Sequence, residues 1–231
     1  MSPTPRRLVM ALLLLVAAGF ARLGVWQLDR LHQRRAANAV TIAARQAPPE
    51  RLTAGTAHAA ALAERRVIAE GRYDQEREII VRGEALQGAP GVVVITPLLL
   101  GSSGPAVLVE RGFLPAPDAV TVSLEGLEEP GQVTVRGIAL AVPSGGGEPI
   151  EHAGQTTWRR LDLPALRARL PYEVLPIYIK QSPDSALPRY PRRLAAAPID
   201  EGPHLSYAIQ WFLFAGMAGA FALLVVGRGN R

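Results

Sequence analysis

From Leu205 to Val226 the chain runs for 22 residues without a charge, and no other feature restricts its fold so much. As a helix at about 1.5 Å per residue this run measures roughly 33 Å, against a bilayer hydrocarbon core of roughly 30 Å. A soluble chain seldom leaves such a run for its final helix, so residues 204–226 read as a transmembrane span. Pro203 suits the first turn, where its missing N–H removes no helical bond. Gly227-Arg228 stops the span, and Arg228 and Arg231 are placed to face headgroups.

Polar groups crowd into the first two turns of this run. His204, Tyr207, Trp211 and Phe214 recur at i, i+3, i+7 and i+10, which is one helical face, and Gln210 stands close to it. Two readings follow. One is an interfacial belt, since Tyr and Trp gather at the membrane–water boundary. The other is a ligand site, because an ionisable residue at a membrane edge with an aromatic face behind it invites a flat apolar cofactor.

A second apolar run lies near the N-terminus. Arg6-Arg7 precede Leu8–Ala21, and Gly19-Phe20-Ala21 resembles a signal-peptide cleavage site. Leu23-Gly24-Val25-Trp26 resume the apolar pattern, however, so residues 8–26 read as an uncleaved span of about 28 Å. Arg22 lies close enough to the far interface to snorkel. Residues 27–66 are expected to form a helical stalk and linker. Nothing breaks the helix before Pro48-Pro49, and Leu23, Trp26, Arg30 and Arg34 share a face of it. Pro48–Thr56 reads as linker and Ala57–Arg66 as a short Ala-rich helix.

Two spans place both termini on one side, and the positive-inside rule assigns that side to the cytoplasm. The net charge of +5 follows the same geography. Residues 1–65 carry nine arginines against three acidic residues, whereas residues 66–200 are slightly acidic. The positive excess therefore sits beside the membrane lipid, and no basic patch marks the chain for nucleic acid.

Residues 67–182 switch to short strands separated by turns. Strands are expected at 67–73, 78–82, 91–100, 106–114, 132–142, 155–161 and 174–181, with a short helix at 164–170 capped by Asp162. Residues 183–203 hold five prolines and read as an extended return to the membrane. The fold class is therefore an α+β membrane protein. Two transmembrane helices flank an extracytoplasmic, mainly antiparallel β domain, with a barrel as one arrangement of its strands.

Catalytic patterns are missing. There is no cysteine, which excludes thiolate chemistry, disulfides and covalent heme attachment. His32, His58, His152 and His204 form no zinc-type pair, and Gly-Ser-Ser-Gly at 101–104 is not a nucleophile elbow. Glu76/Glu78 and Glu128-Glu129 read as solvated carboxylates. Arg111, within the apolar stretch Val107–Leu114, reads as a surface arginine or as a fork gripping a carboxylate of the domain or of a ligand. No residue set nominates an enzyme.

Several blocks resemble the surfeit locus protein 1 family. Gly24-Val25-Trp26-Gln27-Leu28-Asp29-Arg30 is similar to the Gly-x-Trp-Gln-x-x-Arg signature that follows the first span in that family. Gly71-x-Tyr73, Ile95-Thr96-Pro97-Leu98, Val107–Pro115, Trp158 with Asp162, Pro176–Ile179 and His204–Phe212 follow in family order. Glu110, Phe113 and Gly202-Pro203 depart from the usual Asn, Trp and Asn of its blocks. The resemblance implies an assembly factor for cytochrome c oxidase linked to heme a insertion. Its partners would be an oxidase subunit or assembly intermediate, and heme a synthase. On that reading His204 is the axial ligand to heme iron, Tyr207, Trp211 and Trp26 line the porphyrin, and Arg30 meets a propionate. The alternative is a scaffold that grips an oxidase subunit and binds no heme. The arginine-rich, single-lysine composition suggests a bacterial chain, with its central domain outside the cell's cytoplasmic membrane.

Overall fold

Between Pro5 and Pro48 no proline interrupts the chain, and a single helix, α1, runs from Pro3 to Gln46. The computed structural model describes residues 3–227, and the chain divides into two units, residues 1–42 with 198–231 and residues 43–197. Arg228 and Arg231, expected at headgroups, lie outside the described residues.

The first unit is a helix pair. α1 meets the last helix, α3 (His204–Gly227), and both are long and apolar enough to cross a membrane. They run antiparallel. At one end the Arg6 Nε donates to the Val225 carbonyl, and at the other His204 Nδ1 lies 2.9 Å from Gln27 Oε1. The steps from Arg6 to Gln27 and from His204 to Val225 are equal in number, and each spans roughly 32 Å of helix, close to a bilayer core.

Small residues let the two helices approach. Ala208, Ala218 and Ala222 of α3 are buried and repeat at helical spacing around Trp211. On α1 a Cβ added at Gly24 would stand 2.8 Å from the Phe212 ring, so only glycine fits there without moving it. Most other apolar side chains of the pair are exposed, as lipid-facing residues would be. Beyond Gln27, Arg34 and Asn38 donate to the Asp200 carbonyl, and Arg35 forks onto Glu201 at 3.0 and 2.9 Å.

The second unit is a mixed β domain that closes on itself. Its strands are β1 (Glu50–Leu52), β2 (Arg66–Tyr73), β3 (Ile79–Leu86), β4 (Ala89–Leu99), β5 (Ala106–Pro115), β6 (Gln132–Ala141), β7 (Ile150–His152), β8 (Gln155–Trp158) and β9 (Val174–Gln181). Their order is β1-β2-β6-β9-β5-β4-β3-β8-β7, and an extra β2–β4 pairing shuts β2, β6, β9, β5 and β4 into a barrel. That seam joins Arg72 to Leu99 and Tyr73 to Leu98. Six of the nine pairings among the described residues are antiparallel. Inside the ring lie Leu98, Val107, Val109, Val135, Ile177 and Ile179, all fully buried. A second cluster, Leu108, Trp158, Leu166 and Val174, packs helix α2 (Leu163–Arg169) against the outside of the sheet. Asp162 caps α2 by accepting from the Ala165 N–H at 3.0 Å, and its carboxyl is held below the usual range, first by that bond.

Four expectations need correction. The stretch 57–66 is not a helix but one 3-10 turn, Ala59–Leu62, ended when Glu64 takes a positive φ. His58 supplies no side-chain cap to extend it. The linker 48–56 contains β1, which pairs in parallel with β2. The return segment is also not merely extended: Phe113 bridges Arg192, and Arg193 is buried against Gln181. Finally, the carboxylates of Glu78 and Glu129 are not solvated, because both are gripped by Arg111, whose fork on carboxylates of the domain is the one of its two readings that holds.

Candidate functional site

Two places concentrate polar chemistry, one in each unit. In the barrel, β5 alternates Val107, Val109 and Arg111 toward the interior, so its periodicity carries a guanidinium inside. Arg111 is 1% exposed. Its Nη1 donates to Glu78 at 2.6 Å, and its Nη2 donates to Glu129 at 2.9 Å and to the Leu127 carbonyl. Arg193, from the return segment, donates to Glu129 as well and to Gln181 at 2.9 Å. Two arginines therefore balance two glutamates, which is what a buried ionic cluster requires. The Arg111 guanidinium also lies 5.2 Å from the Tyr73 ring centre. Burial first, and then Glu129, push the Tyr73 hydroxyl well above its ordinary pKa. With every carboxylate engaged, this cluster is a polar plug rather than a reaction centre.

Two grooves on the barrel surface are lined without histidine. One of about 480 Å3 lies beside Glu70, Arg72 and Gln132, and another of about 380 Å3 lies beside Glu110, Tyr178 and Lys180. Lys180 is occupied by Glu110, and burial, with Glu110 next, pushes the Tyr178 hydroxyl to about 12.

The other place is the mouth of the helix pair, where the residues singled out from sequence stand. His204 opens α3, half-buried, with Nδ1 against Gln27. Its Nε2 has no partner among the described residues. Trp26 and Tyr207 are 44% and 47% exposed. At about 100° per residue, Trp26 lies one step back from Gln27 and Tyr207 turns about 60° back from His204. Because the helices are antiparallel, both offsets fall on the same flank of the pair. A shallow groove there is lined by Arg22, Leu23 and Trp26. Arg30 places its guanidinium 5.5 Å from the Trp26 ring and donates to Gln33 at 3.0 Å. It has no carboxylate partner among the described residues.

Trp211 does not belong to that surface. Its ring stacks on Phe20 at 5.5 Å and meets Phe214 edge-on at 5.8 Å, and Phe20 also touches Phe214 at 5.7 Å. The aromatic face expected to line a ligand is thus divided: Trp211 and Phe214 pack helix on helix, while Tyr207 stays open. Gln27, given no role in the sequence, turns out to be the partner of His204. The signal was the face Gly24, Gln27 and Leu31 at i, i+3 and i+7, whose Gly24 and Leu31 are buried.

The SURF1 family model matches residues 14–216, a stretch that takes in the helix mouth and the whole barrel. The chain belongs to the SURF1 family. A "SURF1-like protein" of Monosiga brevicollis is 27% identical over 221 residues, covering 90% of this chain and 84% of the relative. The SURF1 family is generally linked to cytochrome oxidase assembly, and it is a family of assembly factors rather than of catalysts. The SURF1 match spans both His204 and Gln27.

Proposed function

We propose that this chain is a membrane-anchored assembly factor that holds heme a at the mouth of its helix pair and yields it to cytochrome c oxidase. The observation that carries this reading is His204: an imidazole at the lip of an apolar helix pair, tied through one nitrogen and, among the described residues, unpartnered at the other. Neutral imidazole is a common axial donor to heme iron, and Nε2 is the nitrogen that His204 has to offer. His32, His58 and His152 are exposed and do not stand at the end of the helix pair.

The neighbouring residues suit a porphyrin. Leu23, Trp26 and Tyr207 supply a flank of apolar surface with polar edges, as interfacial aromatics do. Arg30, with no carboxylate partner among the described residues, is suited to a charge-assisted bond with a propionate. Bound there, heme a brings an iron that prefers nitrogen and a large apolar face to bury, and the chain's part is to hold and orient it. Among the described residues of the pair, no wall closes over this flank. An open flank suits a carrier, which must expose its cargo to an acceptor. The acceptor would be an oxidase subunit or assembly intermediate, with heme a synthase the natural donor. Residues 27–203 would lie outside the cytoplasmic membrane. No reaction is asked of the protein itself.

Co-expression with the enzymes of heme a synthesis, followed by purification, tests this. Wild type is expected to carry heme with a distinct Soret band, and His204→Ala to lose most of it while its barrel unfolds at the wild-type temperature. An unchanged band and heme content in His204→Ala would remove His204 as the ligand.

A further inference from the structure

We infer that Gln27 is a positioning residue for His204: it locks the imidazole in the tautomer that carries its proton on Nδ1, which leaves Nε2 bare. The purpose of this lock rests on the heme reading above, but the lock itself does not. A side-chain amide offers an acceptor and a donor at the same end, and the two have opposite effects on a neighbouring ring. If the amide nitrogen faced Nδ1, Nδ1 would accept and the ring proton would sit on Nε2, where it would block a metal. Here the oxygen faces the ring at 2.9 Å, so Nδ1–H donates and Nε2 keeps its lone pair. A neutral imidazole has one N–H, so fixing it at one nitrogen decides the other.

The surroundings fit this role. Gln27 lies on the buried face of α1 with Gly24 and Leu31, so its side chain is directed at α3 rather than at lipid. The free side of the ring meets Gly202, where an added Cβ would stand 3.7 Å from Nε2. A larger residue there would narrow the approach to that nitrogen. Metal-binding histidines are commonly held in this way, by a second group that accepts from the nitrogen not used for the metal.

The test uses the full-length protein in detergent micelles, heme-free, with 15N-labelled histidine, at a pH of about 8 where free imidazole is neutral. His204 is identified by the signals missing from His204→Ala. In wild type its Nδ1 is expected to resonate as the protonated nitrogen and its Nε2 as the bare one. Gln27→Glu, which keeps an acceptor, should preserve that spectrum, whereas Gln27→Leu should give a mixture of tautomers. A wild-type proton on Nε2, or a spectrum untouched by Gln27→Leu, overturns the inference. In the heme-loaded preparation, Gln27→Glu should retain heme as wild type does, and Gln27→Leu should hold it about 10–100-fold more weakly. If wild type binds no heme, the functional reading fails, yet the nitrogen spectra still decide whether Gln27 sets the tautomer.

Discussion

Arg111 joins two carboxylates and a carbonyl with one rigid fork, a task that depends on shape as much as on charge. Lysine keeps the charge but brings a single ammonium, which cannot serve Glu78 and Glu129 from opposite arms. Arg111→Lys should therefore leave one buried carboxylate underpaired, at a cost of about 2–3 kcal/mol. In calorimetry of the purified full chain, the barrel's unfolding midpoint should fall by roughly 4–12 °C. A midpoint within a degree of wild type would mean that the fork is not needed. Sequence alone leaves the residue between two readings, because a lone arginine in an apolar strand is ordinarily on the surface. The fork on carboxylates of the domain is the one the structure bears out. The informative signal was the alternation itself: Val107, Val109 and Arg111 share a face, and the first two are wholly buried.

At the scale of elements, the barrel depends on its β2–β4 seam, and the seam on Gly71. A Cβ there would lie 2.3 Å from the Leu99 carbonyl oxygen, so any side chain forces two backbones apart. Gly71→Ala should cost about 1–3 kcal/mol and speed amide exchange in β2 and β4. Gly55→Ala, where an added Cβ meets nothing within 4 Å, should do neither. The long strands were legible because apolar runs bounded by turn residues announce them. β1 and β7 were not, since three residues establish no period. A barrel was one arrangement the strands allowed, and the closed ring bears it out, but a strand's own pattern does not say which distant partner shuts it. In the helix pair, hydropathy is uniform around α1, so Leu23, Trp26 and Arg30 looked as good a face as the true packing face through Gly24, Gln27 and Leu31. Only polar or small residues break that symmetry, and Gln27 was the one to follow.

For the molecule as a whole, the chain leaves the helix pair at Gln27 and rejoins it at His204, at the same end. Everything between those residues should then lie on one side of a membrane that the pair crosses, with both termini on the other. Reporter fusions at residue 120 should be active only outside the cytoplasm, and fusions at residue 231 only inside. The reverse pattern would refute the topology. The two halves of the helix mouth are also 177 residues apart in the chain, which has a consequence for how the protein is made. At roughly 5–20 residues per second, the ribosome supplies His204 about 10–35 s after Gln27. Until then the first helix waits with half of the mouth, while the strands of the barrel emerge one after another. The last helix to be synthesised is thus the one that completes the mouth.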